Sequence, residues 1–266
     1  MKRRTFMTLG AAGAAAIVGG DLLLSPQQAD AASKLALPAG TSVFNTIREQ
    51  DVLNRPLKFA YAGKKVRRLL ITSPTRGVNG TYQNRNSYEF RATWQKIGPI
   101  KIFLTANIGS YARAKEEAWK HIMALSRIPY RFRKTIEAIV VQPGKGPARG
   151  GNGKIYTFAD AYSKFNNFQG MIFHEIGHTV QNSMAPAVEK RWKQAIIADQ
   201  KAAPRFNGAI SQYNREYPWR EALSSAIVPW YSMRKHPGRL TPQQREFLQE
   251  QMPNRLRFLN NNFPVQ

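Results

Sequence analysis

The sequence predicts an α+β protein in which a twisted, mixed β-sheet is followed by a mainly helical C-terminal part. Residues 57–108 contain four stretches rich in β-branched and aromatic residues, which are typical of strands. From Tyr111 onwards, apolar residues recur at steps of three and four, which indicates amphipathic helices. The chain has 266 residues, 42% of them hydrophobic, which is enough for one substantial core.

The predicted strands come first along the chain. The four stretches are LKFAY (57–61), VRRLLI (66–71), YEFRATW (88–94) and IKIFLTANI (100–108). Residues 62–65 are expected to form a hairpin turn, and residues 73–86 a polar loop with a turn signal at Asn79-Gly80. Residues 135–143 predict a buried strand and 144–154 a flexible loop. Residues 155–158, IYTF, predict a short strand at the edge of the sheet.

The predicted helices dominate the rest of the chain. The first spans 111–126, and three more are expected at about 166–182, 187–202 and 219–233. Pro229 is expected to kink or end the last of these near Val228. A final helix should begin after Thr241, because Gln244 stands three residues later and completes a capping box.

The N-terminus and the net charge indicate where the protein acts. Arg3 and Arg4 precede a short apolar run, and Ala29 and Ala31 form a cleavage pattern, so residues 1–31 are expected to be a twin-arginine type signal peptide. An ordinary secretory signal or an uncleaved anchor would share these features. The net charge of +24 attracts anions. In an exported, periplasmic or extracellular protein, the expected anionic partner is a cell-envelope polymer, and nucleic acid is not expected.

The stretch MIFHEIGHTVQ (171–181) contains two of the four histidines in the chain. On a helix, residues four apart lie about 40° apart around the axis, so His174 and His178 project from one face. Glu175 stands beside them. Histidine with oxygen ligands suits an open zinc site, and the absence of cysteine excludes thiolate ligands. A pair of helix histidines without any metal is the alternative, because so short a motif also occurs by chance.

HEIGH on a helix resembles the zincin metallopeptidases. The metzincin pattern fails, because Gln181 and Met184 stand where it requires glycine and histidine. The gluzincin pattern, with a glutamate on a later helix, is met by Glu221, 43 residues after the second histidine. YPWREALSSAIVPWY around it resembles the corresponding helix of lethal-factor-type enzymes. Asp199 and Glu216 are the alternative third ligands.

The resemblance implies a zincin-like fold over residues 106–266, preceded by a β-rich segment at 32–105. It also implies one Zn²⁺ held by His174, His178 and Glu221. Glu175 would be the general base, and Tyr213 would stabilise the oxyanion. Where the family usually has an acidic residue four positions after the ligand glutamate, this chain has Ser225, a hydroxyl without charge.

The function expected from this resemblance is hydrolysis of peptide bonds in a peptide or protein substrate. Two alternatives stay open. One is a basic envelope-binding protein on a zincin scaffold, and the other is a metal-dependent amidase that acts on cell-wall peptides. No transmembrane anchor is expected after the signal peptide is cleaved.

Overall fold

The computed structural model describes residues 46–48, 51, 54–71, 80–160, 165–204 and 206–264. These residues form an α+β fold. The strands are β1 (Lys58–Ile71), β2 (Thr81–Trp94), β3 (Ile97–Thr105), β4 (Ala138–Gln142), β5 (Arg149–Gly151) and β6 (Lys154–Phe158). The helices are α1 (Tyr111–Leu125), α2 (Tyr130–Arg133), α3 (Phe165–Asn182), α4 (Pro186–Ala202), α5 (Gln212–Glu216), α6 (Ala222–Lys235), α7 (Pro242–Gln251) and α8 (Pro253–Asn262).

The six strands form one mixed sheet in the order β1-β2-β3-β4-β6-β5. The first three strands are antiparallel, β4 and β6 continue parallel to β3, and β5 runs antiparallel to β6. The described residues after β6 are mainly helical. The predicted class, a mixed sheet followed by a mainly helical C-terminal part, is therefore confirmed.

The predicted hairpin turn at 62–65 is wrong, because β1 runs without interruption through it. Ala62 is an extra residue in the pairing with β2, since Tyr61 faces Phe90 and Gly63 already faces Glu89. Gly63 has φ +105°, which glycine adopts at little cost. A β-bulge therefore absorbs the irregularity and the strand continues. Of the predicted loop at 73–86, residues 81–86 belong to β2, and 73–79 lie outside the described residues.

The predicted edge strand is also corrected. Residues 155–158 belong to β6, which lies between β4 and β5, so β5 forms this edge of the sheet. Part of the predicted 144–154 loop is thus the strand Arg149–Gly151. The hairpin closes through Asn152 and Gly153, whose φ values of +48° and +73° suit a two-residue turn of type I′.

Most helices occur where they were predicted, with a few corrections. The capping box of Thr241 and Gln244 is present at the start of α7. Helix α6 begins at Ala222 rather than near Trp219, and it continues through Pro229 to Lys235. The residues on either side of this proline, Val228 and Trp230, are both 1% exposed. Their burial offsets the missing backbone hydrogen bond. The short helices α2 and α5 and the final helix α8 were not predicted.

One hydrophobic core joins the inner face of the sheet to the helices. It includes Ile102 and Ile139 of the sheet, Ile122 of α1, Phe173 of α3 and Trp230 of α6, all of which are at most 1% exposed. None of the described helices is long and apolar enough to cross a membrane. The predicted signal peptide at 1–31 lies outside the described residues.

A buried ion pair fixes the C-terminal helices. The Asp199 carboxylate at the end of α4 accepts hydrogen bonds from the backbone N–H groups of Asn254 and Arg255, at 2.7 and 3.1 Å. The Arg255 guanidinium adds another at 2.8 Å. Both side chains are almost fully buried, at 0% and 2% exposure. Asp199 therefore joins α4 to the first turn of α8.

We expect Asp199→Asn to lower the free energy of unfolding by about 3–5 kcal/mol, because it leaves the Arg255 charge buried without a counter-ion. Urea unfolding followed by circular dichroism measures this loss. Asp160→Asn is the matched control, because Asp160 is 43% exposed in its ion pair with Arg113. The control should lose less than about 1 kcal/mol. Equal losses in the two variants would contradict a structural role for Asp199.

Candidate metal centre

Helix α3 presents the HEIGH motif because its opposite face is apolar. Ile172, Phe173 and Ile176 are fully buried in the core at 0% exposure. The side chains of His174 and His178 are 13% and 14% exposed, and their ring centroids lie 5.2 Å apart. Packing of the apolar face thus orients both imidazoles towards the same side of the helix, as the four-residue spacing predicts.

Glu221 completes a group of three potential ligands. Its Oε2 atom lies 3.3 Å from His174 Nε2 and 3.4 Å from His178 Nε2. One potential ligand atom from each residue lies within 4.8 Å of the others. Zinc bonds of about 2.0–2.1 Å at tetrahedral angles would separate neighbouring ligand atoms by about 3.3–3.4 Å. The two measured separations match this spacing and exceed the usual N–H···O range.

The alternative third ligands are engaged elsewhere. Asp199 is fully buried and bonded to α8, as described above. Glu216 is exposed on α5, and its Oε1 atom accepts a hydrogen bond from Gln212. Of the three candidate carboxylates, the structure brings Glu221 to the histidines.

Glu221 lies at the N-cap of α6 and is 1% exposed. Ser224 Oγ donates a 3.0 Å hydrogen bond to the same Oε2 atom that faces the histidines. Arg220 Nε lies 3.6 Å from Oε1. The hydroxyl that orients the carboxylate is therefore that of Ser224, a residue that sequence reasoning did not single out.

Gly177, the glycine of HEIGH, allows α6 to approach α3 closely. A Cβ atom at this position would lie 2.5 Å from the Cα atom and 2.9 Å from the backbone nitrogen of Ser224. Real Cβ atoms do not approach a backbone so closely. The absence of a side chain at Gly177 therefore determines how near Glu221 can come to the histidines.

Gln181 fixes the chain on both sides of Glu221. Its Nε2 atom donates a 2.9 Å hydrogen bond to the carbonyl oxygen of Trp219, and its Oε1 atom accepts one of 3.2 Å from the Leu223 N–H. One amide side chain on α3 thus holds the backbone two residues before and two residues after the carboxylate. Sequence reasoning used Gln181 only to reject the metzincin pattern.

The charges of the site interact strongly. Burial alone would raise the pKa of Glu221, but the contacts with His174 and His178 lower it well below its ordinary value. Burial lowers the pKa of His178, yet its contact with Glu221 and the charge of Glu175 raise it overall. The carboxylates therefore favour positive charge at the His178 imidazole, and a cation bound beside it would meet the same attraction.

Glu175 follows His174 on α3 and is the point at which this helix meets the edge strand β5. It is 7% exposed. A Cβ atom at Gly150 of β5 would overlap the carbonyl oxygen of Glu175, so the edge strand touches α3 at this residue. The pKa of Arg149 is lowered overall by burial and by nearby Arg220. The charges of Glu175 and Tyr213 act in the opposite direction. Arg149 therefore lies within electrostatic range of the predicted base.

Tyr213 lies on α5 and is 40% exposed, and its ring packs 5.0 Å from that of Tyr217. Burial and then the charge of Glu221 raise the pKa of its hydroxyl. Tyr213 thus lies close enough to Glu221 for the charge of that carboxylate to act on it. Its role in stabilising an oxyanion stays a prediction.

We expect Gly177→Ala to weaken both the fold and zinc binding. Alanine favours a helix over glycine by about 1 kcal/mol, but the clash with Ser224 should reverse this and cost about 1–3 kcal/mol. Urea unfolding and competition with a zinc chelator measure the two effects. Gly238→Ala is the control, because no atom lies within 4 Å of its added Cβ. Unchanged stability and zinc affinity in Gly177→Ala would show that the close approach is unimportant.

Comparison with known proteins identifies no relative: no family model matches the chain, and neither a curated protein nor a solved structure is similar to it. The function must therefore be inferred from the chemistry of the residues at this site. The strongest evidence is the arrangement of two imidazoles and one buried carboxylate around a common point.

Proposed function

We propose that this chain is an exported, zinc-dependent peptidase of the gluzincin type. The observation that carries the proposal is the pair of separations, 3.3 and 3.4 Å, between the Glu221 carboxylate and the two imidazoles. The resemblance to zincins, which rests on the HEIGH motif and the later glutamate, supports the same function. The basic leader with its cleavage pattern favours export.

The three residues fit zinc by ligand type as well as by spacing. Two imidazoles and one carboxylate form a donor set common among catalytic zinc sites, in which a fourth position is left for water or substrate. When bound, zinc would polarise a carbonyl group and lower the pKa of water. The roles of His174, His178 and Glu221 are to bind this ion, and Ser224 orients the carboxylate through its hydrogen bond.

Glu175 is the residue to which we assign the role of general base. It follows the first histidine on α3, and contact with β5 holds its backbone in place. Its carboxylate takes a proton from the water whose oxygen attacks the peptide carbonyl. The same proton then passes to the leaving nitrogen as the C–N bond breaks. Glu175 ends unprotonated, and the products are a carboxylic acid and an amine.

The edge strand β5 offers a place for an extended peptide. Within the described residues β5 pairs with β6 on one side, so its other side is available for backbone hydrogen bonds. This strand takes the role first expected of residues 155–158. Because β5 touches α3 at Glu175, a peptide paired there would pass close to the base. The positive charges of Arg149 and Arg220 favour acidic side chains in that peptide.

The two alternatives make different predictions. An amidase acting on cell-wall peptides would use the same residues but prefer purified peptidoglycan to casein. An envelope-binding protein on this scaffold would need no base, so it would retain its function when Glu175 is changed. The buried and closely constrained position of Glu175 favours hydrolysis over binding alone.

We expect Glu175→Gln to lower kcat on casein by about 10²–10⁴-fold, because the amide cannot accept the proton of the attacking water. Zinc content, measured by elemental analysis, should match that of the unchanged protein, since Glu175 is not a ligand. Glu250→Gln is the control, because it removes an exposed carboxylate from α7 and should leave activity unchanged. Full activity of Glu175→Gln would rule out the proposed mechanism.

We expect Glu221→Gln to lower zinc affinity by more than about 100-fold, which exceeds the usual cost of losing a group that only supports a ligand. The amide keeps the shape of the side chain but loses its charge. Competition with a chelator of known affinity measures the change. Glu216→Gln is the control, because it removes the rival carboxylate five residues earlier. If zinc affinity instead falls in Glu216→Gln and is unchanged in Glu221→Gln, the third ligand is Glu216.

A further inference from the structure

A cavity of ≈ 290 Å³ lies on the outer face of the sheet. The inner-face residues Ile102, Ile139 and Ile155 belong to the core beneath the helices. The residues that alternate with them point the other way and line the cavity. The cavity is therefore separated from the candidate metal centre by the sheet.

The floor of this outer cavity consists of two rows across β3, β4 and β6. In one row, Lys101 pairs with Ala138 and Ala138 pairs with Lys154. Ala138 is small, so the two lysines border a trough about two strand spacings, or about 10 Å, wide. The next row is apolar and consists of Phe103, Val140 and Tyr156.

The roof of the outer cavity comes from the end of the β1–β2 hairpin. Arg68, Leu69 and Leu70 of β1 and Tyr82 of β2 line it. Leu69 packs with Val140 and Tyr156 in a small apolar cluster. Burial, and then the neighbouring Tyr82, raise the pKa of the Tyr156 hydroxyl. The hairpin thus closes over the floor and gives the cavity an apolar end.

The charges lining the outer cavity are mainly positive. Arg67 is already paired with Glu89, a fully buried carboxylate that also binds Arg91. Arg68 lies over the ring of Tyr82, at 5.8 Å from its centroid. In the described parts of the chain, neither Arg68, Lys101 nor Lys154 forms an ion pair.

One carboxylate opposes them at the rim. Glu137 lines the outer cavity and is exposed, and its side chain lies over the turn at Gly153. Among the described residues, three cations without an ion pair face one carboxylate, which leaves a net attraction for anions.

We propose that the outer cavity binds a small organic anion with a flat, apolar body. The two lysines would hold its negatively charged head, and Phe103, Val140 and Tyr156 would pack against its body. The cavity is close to the lower end of the volume range of small-molecule sites, about 300–1,000 Å³. An inorganic ion would leave the apolar row without contact. The inference is independent of the proposed peptidase activity, because the sheet separates the two sites.

Isothermal titration of the full chain with 2-naphthalenesulfonate, inorganic sulfate and 2-naphthol tests the proposal. The sulfonate carries both head and body, whereas the other two probes carry one each. We expect the sulfonate to bind at least about tenfold more tightly than sulfate or 2-naphthol. Relative to sulfate it gains the burial of its rings, and relative to 2-naphthol it gains a charge-assisted hydrogen bond. Equal affinity for sulfate and the sulfonate would overturn the proposal, because the apolar row would then contribute nothing.

The double variant Lys101→Gln, Lys154→Gln should weaken binding of the sulfonate by about tenfold or more. The matched control is Lys190→Gln, Lys201→Gln, which removes the same charge from exposed positions on α4. Thermal melting should show both double variants to be folded. An equal loss of affinity in the control would show general attraction to a basic protein and would overturn the assigned site.

Discussion

The burial of the Glu221 carboxylate against two imidazoles is the interaction on which the candidate metal centre depends. A buried, ionised carboxylate costs several kcal/mol unless positive charge and hydrogen bonds compensate it. Ser224 supplies one hydrogen bond, and His174 and His178 are the nearest positive or polar partners on α3. A divalent cation between these three residues would compensate the carboxylate more fully than two long contacts to imidazole. The described fold has no evident structural requirement for this energetically unfavourable burial.

Two close backbone approaches and one amide side chain set the position of the candidate metal centre. The α3–α6 distance depends on Gly177, and the α3–β5 distance depends on Gly150. Gln181 then fixes the rotation of the segment around Glu221 by binding its backbone at two points. As a result, one helix, α3, positions the three potential ligands, the predicted base and the edge of the sheet relative to one another. Such rigid support is what a catalytic constellation requires.

Local features of this chain could be predicted from the sequence, whereas features that depend on tertiary contact could not. The shared face of His174 and His178 follows from helical spacing alone. Glu221 lies 43 residues further on, and only a family resemblance singled it out. The roles of Ser224 and Gln181 arise from contact between two helices, which no local pattern encodes. The β5 hairpin carried a usable signal in Asn152-Gly153, but the order of strands in the sheet depends on non-local pairing.

The strands of residues 58–105 belong to the same sheet and core as the later strands. They provide three of the six strands, and β3 pairs directly with β4 from Lys101 to Leu104. Phe90 and Ile102 lie in the same core as Phe173 of α3. Removing the segment would expose the edge of β4 and one side of that core, at a cost far above the few kcal/mol by which proteins are stable. We infer that these strands support β4, β6 and β5 in turn, and through β5 the position of Glu175.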